Sequence, residues 1–492
     1  MRTPWIALAG LAGLCGGCRP TSTYAPPTAP VPAAYQESAV QSAAPSALGA
    51  NGWTPAAPSD ALDRNHWWEI FHDPELNALE ERIDVSNQSL KSAASRFAQA
   101  RALVRETRSQ QKPTLSAGGD ARRVRESMTQ GVPPPASESD FNDFSIGLAA
   151  SWEPDLWGRI RTLVSSSMQQ AQANAADLEN VRLSLHAELA ADYLMLRSLD
   201  NERQVLADSV NAYARALKMM EDRYAGGLAN RADVEQARTQ LEATSAQEAD
   251  LSESRAHYVN AIAVLTGQLP EGFTIAEQAQ ALTPPSIPTG VPAELLQRRP
   301  DIAAAERRVA LANSQVGLAH TAYYPQVILS GAIGLDSSNL GKWFNAPSRY
   351  WAVGPSLAET LFDAGRRRAG VAQAVAQYDE SVANYRQSVL DAFRQVEDSM
   401  ASLRILADEA ARQQRAVQAA RNAETLSMNR YQGGMVTYLE VISTQSTRLQ
   451  NERVAVGIEQ RRMQASVALV RALGGGWNAN MLPRPAELSS GK

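Results

Sequence analysis

Residues 158 to 267 recur as residues 365 to 474, at a constant offset of 207 positions and without a gap. Gly158 and Arg159 return as Gly365 and Arg366. The stretch Arg223-Tyr224-Ala225-Gly226-Gly227 returns as Arg430-Tyr431-Gln432-Gly433-Gly434, Arg255 returns as Arg462, and Gly267 as Gly474. Shared spacing of glycine and arginine over that length means two copies of one supersecondary unit, packed side by side.

Between Arg159 and Ala225 there is neither glycine nor proline, and the same holds from Val371 to Gln432. At about 1.5 Å per residue each stretch predicts an uninterrupted helix of roughly 90 to 100 Å, several times the usual globular length. The glycine pairs come next, and then second helices over about 231 to 266 and 437 to 473. The repeated unit is thus a long helical hairpin with a glycine turn at its tip. A content of 44% hydrophobic but only 6% aromatic residues suits long helices better than a thick globular interior. The net charge of −5, with acids and bases interspersed, leaves no electrostatic footprint for nucleic acid.

A second matched set precedes the hairpins at an offset near 212: Ala93, Arg96, Ala98, Ala100, Val104 and Pro113 correspond to Ala305, Arg308, Ala310, Ala312, Val316 and Pro325. Each set reads as a shorter Ala-rich helix ending at a proline. After the prolines the period changes from 3.6 to 2. Phe144, Ile146, Leu148, Ala150 and Trp152 alternate with small or polar residues, as do Val327, Leu329, Gly331, Ile333 and Leu335. Partners for these strands are visible at Pro113 to Arg123 and Tyr350 to Leu361, with polar loops at 124 to 142 and 336 to 348. A strand of about 10 residues, apolar on one face and small and polar on the other, suits a tilted crossing of a bilayer around a wet lumen. Four strands cannot close a barrel, and open edges are not tolerated in lipid, so several chains must contribute. Three chains giving twelve strands make the smallest assembly with an open lumen.

The N-terminus carries Arg2, an apolar run from Trp5 to Leu14, and Cys15-Gly16-Gly17-Cys18. This reads as a lipoprotein signal cleaved before Cys18, whose thiol takes the lipid; Cys15 stands where a leucine is usual. No other cysteine exists, so no disulfide framework is expected. The Pro-, Ala-, Ser- and Thr-rich residues after it read as an extended tether.

Three strings in the chain resemble the TolC-like outer-membrane efflux factors, in the NodT/OprM-like lipoprotein branch. They are Trp67-Trp68-Glu69-Ile70-Phe71-His72-Asp73-Pro74-Glu75-Leu76, the LLQRRPDI string from Leu295 to Ile302 with Ala305-Glu306 after it, and the paired tips around Gly226-Gly227-Leu228 and Tyr431 to Leu439. The resemblance implies a homotrimer with a twelve-stranded outer-membrane barrel continuous with an α-helical tunnel across the periplasm. It implies the passive exit duct of a tripartite pump for small molecules, docked through a periplasmic membrane-fusion adaptor onto an inner-membrane transporter of the RND type. Cys18 is then expected to carry diacylglycerol and N-palmitoyl, and no other cofactor. Tyr431 takes the position of a gate-bonding tyrosine and Glu440 that of an acidic ring, with Asp233 as the first-repeat equivalent beside Arg231. Ser443 stands where some relatives have a second acid. Three copies of Glu440 predict a pH- and salt-sensitive aperture. Gly226, Gly227, Gly433 and Gly434 are expected to form grooves for the adaptor.

The chain then divides into a signal peptide (1–17), a lipidated tether (18–60), a first repeat (61–264, with strands in 113–153 and the helical hairpin at 158–266) and an equatorial segment (265–298). A second repeat (299–473, with strands in 325–361 and the helical hairpin at 365–473) and a C-terminal equatorial tail (474–492) complete it. His66 and His72, beside the tryptophans, are expected to pack in an equatorial belt. The five histidines are scattered, and no GxSxG, Walker or GxGxxG string occurs, which argues against an enzyme. A duct for polypeptide secretion and a periplasmic coiled-coil scaffold remain as alternatives.

Overall fold

The computed structural model describes residues 24–29, 31–32, 35–37, 64–125, 140–287 and 295–489. The signal peptide, Cys18 and most of the tether lie outside the described residues, as does the centre of the loop between the first two strands.

After a 3-10 segment at Arg64–Phe71, helix α1 (Pro74–Ser86) begins at Asp73, whose carboxylate accepts from the amides of Glu75 and Leu76. This is an N-cap followed by a proline in the first turn, the arrangement that starts helices most readily. Helix α2 (Gln88–Ser109) leads into strands β1 (Thr114–Arg125) and β2 (Asp140–Trp152). The first hairpin is α3 (Arg159–Ala225) with α4 (Arg231–Leu265). Helix α5 (Pro300–Thr321), strands β3 (Gln326–Ser337) and β4 (Arg349–Ala358), and the hairpin of α6 (Arg366–Gln432) with α7 (Tyr438–Ala472) repeat the pattern.

The duplication is literal in length. Helices α3 and α6 both have 67 residues, α4 and α7 both 35, and α2 and α5 both 22. Each 67-residue helix spans about 100 Å. Helix α6 starts before the glycine-free stretch and runs through Gly370, a cost of about 1 kcal/mol that so long a helix absorbs.

The strands form one antiparallel sheet in the order β1-β2-β3-β4. Alternation continues further than the sequence alone places it: Val124 pairs with Phe141 and Arg125 with Asp140, so strand replaces the ends of the expected loop. Register stacks Leu148 on Ile333 and Ile333 on Trp351 across three strands. On this face Leu115, Ile333, Trp351, Val353 and Leu357 are exposed. The opposite face carries Ser116, Gly118, Gly147, Ser151, Ser330 and Gly354, with Arg122 bridging Asp120 and Asp143 at 2.6 and 2.7 Å. A contiguous exposed apolar face of this kind belongs against lipid, and the small polar one against water. Both β1 and β4 present an unpaired edge among the described residues. Among the described residues no helix is long and apolar enough to cross a membrane.

The largest core lies midway along the hairpins. Trp67, Trp68, Leu76 and Ile83 pack there with Leu189, Tyr193, Leu196, Ile262, Val396, Met400 and Val467. A smaller core closes the tips: Met220, Val234, Ala237, Tyr431, Tyr438 and Val441.

Candidate functional site: the hairpin tips and the belt

Both tips end in the same turn. The amide of Leu228 donates to the Arg223 carbonyl at 2.8 Å and that of Gly227 to Tyr224 at 3.0 Å; Met435 and Gly434 repeat this on Arg430 and Tyr431, both at 2.9 Å. Gly227 (φ 74) and Gly434 (φ 71) take the left-handed conformation that closes such a helix end. Leu228, Met435 and Leu439 stand exposed at the tips.

Tyr431 is buried between the two hairpins. Its hydroxyl donates to Met220 Sδ at 3.2 Å, its ring lies 5.4 Å from that of Tyr438, and the Arg223 guanidinium lies 5.1 Å above it. Tyr431 thus ties α6 to α3 inside one protomer. Glu440, in the first turn of α7, accepts from Arg430 Nη1 at 2.9 Å, with both side chains about half exposed. Asp233 sits in the first turn of α4, where its amide is capped by the Asn230 side chain at 2.9 Å. Arg231 turns to Glu235 at 3.7 Å, not to Asp233. The structure brings Tyr431 and Asp233 to one cluster through Tyr438, whose hydroxyl is pushed up to about 12, first by burial and then by the charges and dipoles of Tyr431, Tyr213 and Asp233. Above the tips, Arg448 joins Glu424 and Glu452, each at 2.5 Å, and Arg421 reaches Glu452 at 2.7 Å. This ion cluster lies between α6 and α7.

The belt holds groups that sequence reasoning missed. Arg197, fully buried, donates to the Tyr193 hydroxyl, Asp200, the Ala276 carbonyl and Glu75. Arg255 reaches Asp200 at 2.8 Å and the Ile275 carbonyl at 2.8 Å. Asn201 exchanges two bonds with Gln280, so the linker after the first repeat is stitched to α3 through its backbone. His186, also buried, stacks on Trp68 at 4.5 Å, bonds Glu80 at 2.7 Å through Nδ1 and holds Nε2 3.6 Å from Asp84. Burial pushes the Glu80 carboxyl up to about 7 and outweighs its bond to His186. Burial also works against a charged His186 imidazole, but Asp84 and Glu80 overcome it and raise the ring above its ordinary value. His66 and His72, expected to pack in the belt, are instead exposed, and it is Trp67 and Trp68 that are buried; His66 meets Trp68 edge-on at 5.3 Å. The signal that could have found Arg197 is the duplication itself, since Arg404 stands 207 residues on.

The tether is also more than a spacer where it is described. Tyr24 donates to Glu306 at 2.6 Å, Arg386 to the Thr28 carbonyl at 3.3 Å, and Arg404 to Glu37 at 2.7 Å. Among the described residues no group of three or more His, Cys, Asp or Glu is arranged to hold a metal ion.

Comparison with known proteins agrees with this architecture. Residues 80–268 and 291–475 match the family described as outer membrane efflux protein. The pyoverdine export outer membrane protein OpmQ of Pseudomonas aeruginosa is 33% identical over 86% of this chain and 90% of its own. The cation efflux system protein CusC of Escherichia coli is 28% identical over 94% and 96%. The solved outer-membrane channel OprN superposes with a TM-score of 0.83 over 94% of this chain and 100% of its own, at 29% identity. The chain belongs to the outer membrane efflux protein family.

Proposed function

We propose that this outer-membrane efflux channel acts as a homotrimer and is the passive exit duct of a tripartite pump for small molecules. The carrying observation is a four-stranded sheet with two open edges and one apolar face, continuous with two helices of 67 residues. Three copies pair every edge and make twelve strands, which removes the edges that lipid forbids. The helices are long enough to line a tunnel away from the membrane. A wet duct has no selective pocket, which agrees with relatives named for cargoes as unlike as pyoverdine and cations. Selection then falls to the inner-membrane partner, read as an RND-type transporter, joined through a periplasmic membrane-fusion adaptor. The exposed Leu228, Met435 and Leu439 beside the glycine turns support docking of that adaptor at Gly226, Gly227, Gly433 and Gly434. Glu440, Tyr431 and Asp233 form the aperture in this reading.

A lipid on Cys18 is part of the same proposal. Tyr24 belongs to the cluster of Tyr378, Val382 and Tyr385, in the first third of α6 next to the sheet. Six residues of extended chain reach about 20 Å, enough to bring Cys18 toward the barrel end. Mass spectrometry of the mature N-terminus should find a triacylated Cys18, absent from Cys18→Ser. The function itself is tested by native mass and planar-bilayer conductance of the purified protein. A trimer with steady single channels is expected; a monomer without conductance would return the chain to the periplasmic scaffold reading.

A further inference from the structure

The N-terminal strap lies on the second repeat where the belt helix lies on the first. In repeat one, α1 covers the stretch of α3 from Arg182 to Arg197: Asp84 meets Arg182, Glu80 meets His186, and Glu75 meets Arg197. An offset of 207 carries that stretch to residues 389–404 of α6. The strap occupies it instead. Arg386, Glu397 and Arg404 fall on one stripe of α6, spaced by eleven and seven residues. Arg386 holds the Thr28 carbonyl, the Glu397 carboxylate accepts from the amides of Gln36 at 2.7 Å and Glu37 at 3.2 Å, and Arg404 grips Glu37 at 2.7 and 3.2 Å. Glu397 thereby satisfies two amides that start a helical turn and lack internal acceptors. Tyr35, 2% exposed, enters the main core with Val396, Met400 and Leu403. The chain directions differ, since α1 runs antiparallel to α3 and the strap runs parallel to α6. The carboxylate and its arginine socket, rather than the backbone, are therefore what correspond.

We infer that the described residues between Tyr24 and Glu37 form a docking segment that completes the belt of the second repeat, with Glu37 in the socket of Arg404 as Glu75 is in that of Arg197. The duplicated unit carries an arginine in both copies; among the described residues α1 meets the first and the strap meets the second. The segment leading from the membrane anchor supplies the missing carboxylate, so anchoring and belt assembly become one event. This inference does not depend on which cargo the channel exports.

The test uses the full-length protein in detergent and chymotryptic cleavage after Tyr35, with cleavage after the half-exposed tip residue Tyr224 as internal standard. Arg404→Ala and Glu37→Ala should each speed cleavage at Tyr35 about tenfold relative to Tyr224, because cleavage tracks the population of the opened segment. The trimer should also dissociate at lower temperature. The exchange Glu37→Arg with Arg404→Glu should restore much of the protection, and Arg412→Ala, which removes an exposed pair with Asp408 on the same helix, should change nothing. Unchanged cleavage at Tyr35 in Arg404→Ala, or an exchange variant no better protected than the single variants, overturns the inference. A rise at both tyrosines together reports general unfolding and overturns the claim that the socket acts on the strap.

Discussion

His186 and Glu80 form a buried acid–base pair with almost no solvent, and its pH dependence has a definite sign. Both groups have folded values raised above the ordinary ones, Glu80 to about 7. The native state therefore holds protons that the unfolded chain has released, and stability falls as pH rises through this range. Asp84 is shifted the other way, chiefly by its interaction with His186, so its contribution is lost only in stronger acid. The other charged groups facing the pair are Arg182 and Glu179, on α3. Trimer melting followed from about pH 5 to about pH 8 should show a decline, and Glu80→Gln should flatten it; an unchanged slope in Glu80→Gln would refute a role for this pair. Arg197→Ala is expected to be harsher, about 3 kcal/mol, because it empties a fully buried site, leaves the Ala276 carbonyl without this donor and reduces the cations on buried Asp200 to Arg255, measurable as a lower dissociation midpoint in denaturant. Neither group is legible in the sequence as a functional residue. His186 finds Glu80 across 106 positions, and Arg197 finds the Ala276 carbonyl, which no side-chain pattern announces.

At the scale of elements, the glycines that recur at equal offset do different work. Gly474 takes φ 92, and a Cβ there would run into the Arg298 carbonyl oxygen; Gly434 takes φ 71 with nothing within 4 Å. Gly434→Ala should cost only the left-handed backbone, about 1 kcal/mol, and leave the trimer intact. Gly474→Ala must in addition push apart the end of α7 and the chain entering α5, so trimer yield should fall severely while the tip variant behaves like the parent. Equal yields for the two would mean that the belt yields at that junction. The hairpins and strands are readable because their periods, 3.6 and 2, are properties of consecutive residues. Helix α1 cannot be told apart from α2 in the same way, because the boundary between them is a single capping residue, Asn87, without a glycine or proline to mark it. The linker from Phe273 to Gln280 is not readable in detail either, since it is held by its own backbone rather than by a period.

For the whole molecule, the threefold symmetry of the proposed trimer would turn a modest pair at one tip into a ring of charge. Arg430 and Glu440 are too exposed for their bond to lock the tip, since such pairs contribute between zero and about 1 kcal/mol. In the proposed aperture their effect is on the field: with the pair formed, three acids would be matched by three bases, in place of the bare acidic ring expected from the sequence. Removing the base should therefore reveal the acid. Arg430→Ala should strengthen block by divalent cations several-fold at low salt, with the difference shrinking above about 0.1 M, where the screening length falls below about 10 Å. Glu440→Gln should weaken block, and the double variant should resemble Glu440→Gln, because without the acid the base has nothing to mask. Planar-bilayer recordings of the three variants at two ionic strengths separate the possibilities. If Arg430→Ala blocks like the parent at both salts, Glu440 does not face the narrowest part of the duct. The buried Tyr431–Met220 contact between the hairpins would then be the remaining place to look for what holds the tips together.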